Sequence, residues 1–337
     1  MSKVLIIYTG GTIGMVPTKN GFAPKKGVFI RELEKIHDLK RPEMPDWDFF
    51  ECDPLLDSTN ITHNEWNSIA RIIGEKYADY DGFVVLHGTD TMAYSASALS
   101  FMLEGLSKPV IFTGSQIPLC ELRSDGEDNL ITSMIIAGEG VVREVALYFG
   151  GHLLRGNRAV KASADGLIAF SSPNFPDLAT AGIDISYNHK RLLEAEDLPL
   201  NVVDIGPHKI GVLKLFPGIQ FGVFKPILAK GLEGVVLETF GTGNVPSYDP
   251  ELPPLIEKAI GSGTIVVACT QCMQGTVRLS AYETSSALAK AGAVCGYNMT
   301  TEATVTKLAY LLSKGYPAKD IHDLMETDLR GELTKPV

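Results

Sequence analysis

The chain has 337 residues, 45% of them hydrophobic, with 30 Lys and Arg against 40 Asp and Glu, giving a formal net charge of −10. This length predicts two domains. The acidic balance, without any basic run, argues against a nucleic-acid partner, because phosphate binding depends on Lys and Arg. Membrane attachment is not expected either, since the apolar runs are strand-sized and a spanning helix needs roughly 18 residues.

The beginning of the chain and its cysteines indicate a cytoplasmic protein. A predicted strand starts at Lys3, which leaves no room for a signal peptide. Cys269 and Cys272 have the spacing of a redox or metal motif, but no second such pair and no His pair accompanies them, so no metal site is expected. We expect five reduced, buried thiols: Cys52, Cys120, Cys269, Cys272 and Cys295.

The first predicted strand, Lys3 to Tyr8, leads into Thr9-Gly10-Gly11-Thr12-Ile13-Gly14. Glycines there permit a sharp turn and a close approach of the backbone to a ligand. A dinucleotide-binding fingerprint is the alternative, but its glycine spacing differs and no helical pattern follows. Residues 15–27 instead carry prolines and an Asn20-Gly21 pair, which predict a loop or short hairpin that could act as a lid.

Asp57 and Ser58 place further polar groups just beyond a predicted strand at about 48–52. A short helix is predicted at 31–37, and the capping box Thr62-x-x-Glu65 predicts the start of a longer helix. Taken alone, Asp57 fits an ordinary turn carboxylate. Beside the polar residues at other strand ends, it fits a functional site better.

The central feature is Leu-His-Gly-Thr-Asp-Thr-Met at 86–92. The apolar run Gly82 to Leu86 predicts a buried parallel strand, and a helical pattern begins at Thr91. The turn between them lies where open α/β sheets bind ligands. It contains a hydroxyl (Thr89), a carboxylate (Asp90) and a helix N-terminus that stabilises negative charge. This combination predicts an active site.

Two more strands are predicted at 109–113 and 144–149, separated by a helix that Ser124 caps. The first of them ends in Gly114-Ser115-Gln116. The second precedes a segment rich in cations, which runs from Arg155-Gly-Asn-Arg158 to Lys161. That segment fits surface ion pairs, or a lysine that acts on a proton near the carboxylate of the central turn.

The pattern weakens between 188 and 208, where charged residues and proline predict a linker. We therefore predict an N-terminal catalytic α/β domain over 1–187 and a smaller C-terminal α/β domain over 209–337. The elements predicted for the second domain are strands at about 210–215, 234–239 and 264–269 and helices at 302–312 and from about 317.

The residues at these strand ends suggest acyl transfer. A parallel sheet brings the carboxyl ends of its strands to one edge, so Thr12, Asp57-Ser58, Thr89-Asp90 and Lys161 can converge. A threonine hydroxyl becomes a nucleophile when a neighbour such as lysine takes its proton, and N–H groups of the glycine turns can stabilise an oxyanion. The two carboxylates suit an ammonium group, while Ser58 and the Gly88 turn suit a carboxylate. These are the two ends of an amino acid.

The motifs together resemble the bacterial-type L-asparaginase family, and the cytoplasmic type I branch is the closer match. The resemblance rests on 9–14, 86–92, Asp57-Ser58 and Arg-Gly-Asn-Arg-x-x-Lys at 155–161, and Gly-Ser-Gln-Ile-Pro at 114–118 favours type I. It implies a two-domain α/β fold whose larger domain has a mainly parallel, flavodoxin-like sheet. It also implies hydrolysis of L-asparagine to L-aspartate and ammonia without a metal or organic cofactor.

Catalytic roles follow from the resemblance. Thr12 would be the nucleophile that forms a β-aspartyl ester. Thr89, Asp90 and Lys161 would form a second triad that relays protons and activates water. The spacing of the residues does not show by itself which threonine attacks first.

The resemblance also implies a substrate-binding set and a homo-oligomer. The residues implied to contact the substrate are Gly11, Asp57, Ser58, Gly88, Thr89, Asp90 and Ser115. Family members place the site at a contact between the subunits of a dimer, which is commonly paired into a tetramer. Asn244 could therefore reach a neighbour's site.

Two positions depart from the family pattern. The loop after Gly14 usually carries a tyrosine beside the nucleophile, whereas this chain has Phe22, which keeps the ring without its hydroxyl. Some type I enzymes have an allosteric asparagine site that uses an arginine just before the Phe/Tyr-Gly-x-Gly-Asn segment, where this chain has Glu238. We therefore predict that this regulation is absent or altered.

Two alternatives stay open. The related amidotransferase subunit, which releases ammonia for amidation of a charged tRNA, shares the threonine and lysine motifs. It normally has an extra N-terminal domain and a tRNA-binding partner, and the acidity of this chain and its start on the first catalytic strand count against it. The other alternative, an amino-acid-binding homologue without catalysis, has only Phe22 in its favour.

Overall fold

The computed structural model describes residues 2–19, 21–195, 198–228, 231–246, 251–279 and 283–336. The chain forms two compact units, Met1–Val203 and Asp204–Val337. The division falls inside the predicted linker, 188–208, and the strand Asn201–Val202 within that segment pairs with Leu103–Glu104 of the first unit. The predicted domain limits, 1–187 and 209–337, stay a prediction. Of the linker residues, Glu196 and Asp197 lie outside the described part.

The first unit contains strands and helices in alternation over most of its length. Its strands are β1 (Lys3–Gly10), β2 (Met15–Thr18), β3 (Gly21–Pro24), β4 (Asp46–Leu56), β5 (Gly82–Leu86), β6 (Leu103–Glu104), β7 (Val110–Thr113), β8 (Val145–Phe149), β9 (His152–Arg155), β10 (Val160–Lys161), β11 (Phe170–Ser171), β12 (Ala179–Ala181), β13 (Ile185–Tyr187) and β14 (Asn201–Val202). Its α-helices are α1 (Phe29–Leu33), α2 (His63–Lys76), α3 (Met92–Met102) and α4 (Gly126–Glu139).

The main sheet of this unit has eight strands in the order β13-β12-β9-β8-β7-β5-β1-β4. The five strands from β8 to β4 are parallel to their neighbours, which gives the flavodoxin-like order that the family resemblance implies. The strands β9, β12 and β13 extend the sheet antiparallel at one edge. The chain reverses its direction of winding at β1, so the carboxyl ends of β1 and β5 flank the position where such sheets bind ligands.

The central strands are apolar throughout because both faces of the sheet are covered. All five residues of β5 and all but the first residue of β1 are buried. On one face, alternate residues of β1 such as Val4 and Ile6 pack with Leu130 and Met134 of α4. Helix α2 begins with the predicted capping box, in which Thr62 and Glu65 satisfy each other's backbone N–H groups.

The predicted elements are largely confirmed, with shifted ends. The strand predicted at 48–52 runs from Asp46 to Leu56, and the helix predicted at 31–37 is Phe29–Leu33. The segment 15–27 contains a two-stranded hairpin, β2–β3, in which Pro17 pairs with Phe22. Asn20, predicted at its turn, lies outside the described residues.

The second unit contains a four-stranded parallel sheet in the order β15-β16-β17-β18, as its alternating pattern predicts. These strands are β15 (Ile210–Lys214), β16 (Gly234–Thr239), β17 (Ile265–Thr270) and β18 (Val294–Cys295). Its helices are α5 (Lys225–Leu228), α6 (Leu252–Gly261), α7 (Glu283–Lys290), α8 (Thr301–Ser313) and α9 (Ala318–Met325).

A buried ion pair fastens the C-terminal segment of the second unit to α8. Lys307 Nζ lies 2.5 Å from Glu332 Oε1, and both side chains are 0% exposed. The same ammonium donates to the carbonyl oxygens of Met325 and Thr327 at 3.1 and 2.5 Å. The Glu332 carboxylate accepts from the N–H groups of Leu329 and Arg330. Every donor of the ammonium therefore has an acceptor, as a buried charge requires.

The cysteine prediction is only partly confirmed. All five thiols are free, but Cys120 and Cys272 are exposed, and only Cys269 and Cys295 are fully buried. Cys269 lies within the apolar strand β17, whereas Cys272 lies on the turn that follows this strand. No helix in the described ranges combines the length and apolar character needed to cross a membrane.

Candidate active site

Three loops meet backbone to backbone at the edge of the first sheet. Gly11 follows β1 with φ +83°, and a Cβ placed on it would lie 2.4 Å from the backbone nitrogen of Gly88, just after β5. A Cβ on Gly88 would in turn lie 2.6 Å from Oγ of Ser58, which follows β4. Only glycine permits this approach. The contact brings the turns that carry Thr12 and Thr89 together, as the strand-end argument predicts.

The third glycine of the first motif makes room for a side chain. A Cβ on Gly14 would lie 2.0 Å from the hydroxyl oxygen of Tyr8, which is buried beneath the turn. Thr12–Gly14 forms a short 3₁₀ turn, with no dinucleotide-binding helix after it. The glycine spacing therefore serves local packing, and the dinucleotide alternative is not supported.

Thr89, Asp90 and Lys161 form one hydrogen-bonded group. Lys161 Nζ donates to Thr89 Oγ1 at 2.9 Å and to Asp90 Oδ1 at 2.6 Å. Thr89 is buried, whereas the side chains of Lys161 and Asp90 are 19% and 56% exposed. A hydroxyl, an amine and a carboxylate are thus in direct contact at a half-open site. This is the arrangement that proton transfer to or from a threonine requires.

Lys161 reaches this group by a route that the sequence argument did not foresee. We expected it to follow the carboxyl end of a fifth parallel strand. Instead, β9 runs antiparallel to β8 and pairs Arg155 with Ala146, which carries the chain away from the site edge. Lys161 then lies in β10, where it pairs with Phe170 of β11. A local two-stranded ladder places the lysine, so the parallel-sheet rule does not apply to it.

Gln116 also contacts the group, although the sequence reasoning gave it no role. Its Oε1 accepts a hydrogen bond from Thr89 Oγ1 at 3.2 Å. Its Nε2 donates to the carbonyl oxygens of Ala164 and Gly166, both at 3.1 Å. The type I motif at 114–118 contains Gln116, but only the folded loop at 162–166 shows why a glutamine stands there.

The predicted substrate-binding residues lie around the same edge, with some of their polar atoms already in use. Asp57 is exposed, and its Oδ1 accepts from the backbone and side chain of Thr59 as an N-terminal cap. Ser58 is buried against Gly88. Ser115 is buried, and its hydroxyl donates to the carbonyl oxygen of Ile117 at 2.6 Å. The binding roles of these residues stay predictions.

His87 stands directly beneath the central turn. It is fully buried, and its Nδ1 lies 2.7 Å from the carbonyl oxygen of Gly88. Because a carbonyl only accepts, Nδ1 carries the proton, and Nε2 is buried without a hydrogen-bond partner among the described residues. Burial lowers the pKa of His87 to about 4, so the ring is neutral at pH 7.

Two further predicted residues, Phe22 and Asn244, belong to other elements. Phe22 lies on the hairpin β2–β3 and is 48% exposed. Asn244 belongs to the second unit, where its N–H donates to the carbonyl oxygen of Phe240 at 2.8 Å. Their roles as lid and neighbour contact stay predictions. Within the described ranges, no group of three or more His, Cys, Asp and Glu side chains is arranged to hold a metal ion.

Known proteins resemble this chain over its whole length. Residues 3–193 match the family model "Asparaginase, N-terminal", and 209–325 match "Glutaminase/Asparaginase C-terminal domain". The chain is 48% identical to L-asparaginase 1 of Escherichia coli K12, over 98% of each protein. It is 42% identical to the 60 kDa lysophospholipase of Mus musculus, over 99% of this chain and 63% of that protein. The crystal structure of L-asparaginase I from Vibrio cholerae superposes with a TM-score of 0.93, at 45% identity and 99% coverage of both chains.

Proposed function

Because the chain belongs to the bacterial-type L-asparaginase family, in its type I branch, we propose that it hydrolyses L-asparagine to L-aspartate and ammonia. The observation that carries the proposal is the contact of Lys161 with both Thr89 and Asp90. This group adjoins the Gly11–Gly88 contact, which positions the turn that carries Thr12.

In the proposed first half-reaction, the Thr12 hydroxyl attacks the side-chain amide carbon of asparagine. The oxygen–carbon bond forms as the hydroxyl proton leaves, that proton is transferred to the amide nitrogen, and the carbon–nitrogen bond breaks to release ammonia. The product is a β-aspartyl ester on Thr12. Backbone N–H groups of the two glycine turns supply dipoles for the oxyanion, and no metal or organic cofactor takes part.

In the proposed second half-reaction, water attacks the ester carbonyl and releases aspartate. Thr89 positions that water by accepting a hydrogen bond from it, Lys161 takes the proton, and Asp90 orients the ammonium that forms through its 2.6 Å contact. The proton then passes to Thr12 as the ester bond breaks. Substrate is held by its α-amino group on Asp57 and Asp90, and by its α-carboxylate on Ser58 and the Gly88 turn.

The direct test is ammonia release from L-asparagine and from L-glutamine over a concentration range. Asparagine turnover with little glutamine turnover is expected. Thr12→Ala and Thr89→Ala should each lose on the order of 10³-fold in turnover, since members of such a unit act together. Thr180→Ala, at an exposed position of β12, is the matched control and should keep full activity. A Thr12→Ala variant with most of its activity would overturn the proposal.

Glu238 leads us to propose that family-type allosteric regulation by asparagine is absent or altered in this enzyme. In the second unit the Glu238 carboxylate accepts from Thr301 Oγ1 at 2.7 Å and lies 3.4 Å from Lys214 Nζ. A carboxylate repels the α-carboxylate that an arginine would bind. The substrate curve should therefore be hyperbolic, and strong sigmoidicity would contradict this part of the proposal.

We further propose that the protein is cytoplasmic and works as a homodimer, paired into a dimer of dimers, with Asn244 and the Phe22 hairpin completing a neighbour's site. The family membership supports this assembly. Light scattering of the purified protein tests it, because a monomer with full activity would exclude a shared site.

The alternatives are less well supported. The 98% coverage of a curated L-asparaginase favours a free amidohydrolase over the amidotransferase subunit. Co-purification with a larger basic partner would favour the amidotransferase. Asparagine binding without ammonia release would favour an inactive homologue and make Phe22→Tyr the next experiment.

A further inference from the structure

The hydrogen bonds of Gln116 fix which way its side-chain amide points. Its Nε2 lies 3.1 Å from two carbonyl oxygens, those of Ala164 and Gly166, and a carbonyl can only accept. The NH₂ group must therefore face the 164–166 loop, and the amide oxygen must face Thr89. The amide orientation is set by its partners and leaves no alternative flip.

This orientation fixes the proton of the Thr89 hydroxyl. An amide oxygen cannot donate, so the 3.2 Å contact requires the Thr89 hydroxyl to donate to Gln116 Oε1. The 2.9 Å contact with Lys161 is then a bond in which Lys161 donates to a lone pair of Thr89. In the resting site the threonine proton points away from the lysine, and the oxygen lone pair points toward it.

Gln116 also joins the two elements that carry the reacting groups. It is held in place from behind, because its own N–H and that of Ile117 donate to the Asp125 carboxylate at 3.0 to 3.1 Å. In front, it binds Thr89 and the loop that begins three residues after Lys161. One side chain therefore links Thr89 to the loop that follows Lys161.

We propose that Gln116 is a positioning residue for the hydrolysis, which orients the Thr89 hydroxyl and ties it to the loop that follows Lys161. The inference rests on the proposed function and deepens it. Gln116 acts through Thr89, whose hydroxyl it contacts at 3.2 Å. Loss of its amide lets the Thr89 hydroxyl rotate, which lowers the fraction of molecules in the reactive geometry and leaves substrate binding largely intact.

The test compares Gln116→Met with Ser124→Ala. Methionine keeps length and volume without hydrogen bonds. Ser124→Ala removes a 2.9 Å bond to the Ile117 carbonyl and a 3.0 Å bond from the Gly126 N–H, neither of which reaches Thr89. Gln116→Met should lower kcat about 10-fold, the effect of one lost orienting hydrogen bond, with KM within about twofold of the parent. Ser124→Ala should change kcat by less than about twofold.

Gln116→Glu adds a pH readout. A protonated glutamic acid resembles glutamine, since one oxygen accepts from Thr89 and the other donates to a loop carbonyl, whereas the carboxylate repels both carbonyls. Its kcat relative to the parent should therefore rise as pH falls. A ratio that is flat with pH would count against the proposal.

Each outcome decides between the possibilities. Gln116→Met activity within twofold of the parent, or an equal loss in Ser124→Ala, would overturn the positioning role. If the parent protein releases no ammonia, the proposed function fails. The role of Gln116 is then tested separately, by comparing crystal structures of the parent and of Gln116→Met. An unchanged Thr89 rotamer and an unchanged 2.9 Å distance to Lys161 in Gln116→Met would overturn the inference, and a rotated Thr89 would support it.

Discussion

Two lysine–carboxylate pairs, one in each unit, differ strongly in their exposure to solvent. Lys161 and Asp90 are 19% and 56% exposed, and the carboxylate is open to solvent or a ligand. Lys307 and Glu332 are 0% exposed, and the ammonium of Lys307 is saturated by one carboxylate and two carbonyls. The first pair can exchange partners during a reaction, whereas the second can only hold two segments together. The same two functional groups therefore serve chemistry or anchoring according to their access to water.

The largest expected effect on activity comes from breaking the Lys161–Asp90 pair. Lys161→Met should reduce asparagine turnover about 10³-fold, because the hydroxyl of Thr89 loses its proton partner. Stability should change by less than about 1 kcal/mol, since the Asp90 carboxylate is 56% exposed and ion pairs screened by solvent contribute little. Parallel ammonia assays and urea unfolding would check both parts. Lys161→Arg sharpens the test, because it keeps the charge but cannot give up its proton, and it should be nearly as inactive.

Breaking the buried Lys307–Glu332 pair should instead have its main effect on stability. Lys307→Met leaves the Glu332 carboxylate buried without its charge partner and should cost about 3–5 kcal/mol in the free energy of unfolding. Adding Glu332→Leu should recover much of that loss. Urea unfolding of the single and double variants measures both, with Lys225→Met, from the exposed Lys225–Glu251 pair, as the control that changes little. A small loss of unfolding free energy in Lys307→Met would contradict the proposed difference between the two lysine–carboxylate pairs.

His87 tests whether a buried ionisable group beside the site affects stability, as the buried Lys307–Glu332 pair is expected to do. Its folded pKa of about 4 lies below the ordinary 6.5, so the unfolded chain binds the proton first as pH falls. Stability should fall progressively from about pH 6.5 to pH 4, by up to about 3 kcal/mol, and then level off. His87→Gln should flatten this part of the profile, measured by urea unfolding at each pH. An identical pH profile in the variant would contradict the assignment.

The smallest expected effect concerns the hairpin β2–β3. Phe22 is 48% exposed and its ring supplies no hydroxyl. If a water or another group already replaces the usual tyrosine oxygen, Phe22→Tyr should change kcat less than about fivefold, the worth of about one hydrogen bond. Steady-state kinetics with asparagine measure this change. A gain of 100-fold or more would show that the missing hydroxyl limits turnover, with Phe22→Leu as the control for the ring itself.

The sequence predicted the parts of the molecule that follow from local pattern. The apolar runs at 82–86 and 234–239 coincide with β5 and β16, and the Thr62–Glu65 capping box opens α2 as expected. The meeting of the β1 and β5 turns also follows, because parallel strands end at one edge. The glycines of the first motif predicted a close approach of the backbone to a ligand, but the contact of Gly11 with Gly88 was not predicted.

Other features depend on contacts between distant segments and could not be read from the pattern. The hydrogen bonds of Gln116 reach Ala164 and Gly166, 48 and 50 residues away, so the sequence near Gln116 does not predict them. Lys161 is placed by a two-residue ladder too short for a periodic signal. The partner of Lys307 lies 25 positions later, in a segment without regular structure. The motif resemblance singled out Lys161 as a candidate, but only the fold shows which elements bring it to Thr89.

The backbone contact between Gly11 and Gly88 limits how substrate selectivity can change in this protein. No side chain lies between the two turns, so there is none to shorten, lengthen or recharge in order to fit a different amide. A Cβ at either position would push backbone against its neighbours, and a variant would lose its geometry before it gained a preference. A directed-evolution library should therefore leave these two codons fixed and vary the hairpin strands at 15–18 and 21–24 and the loop at 118–123.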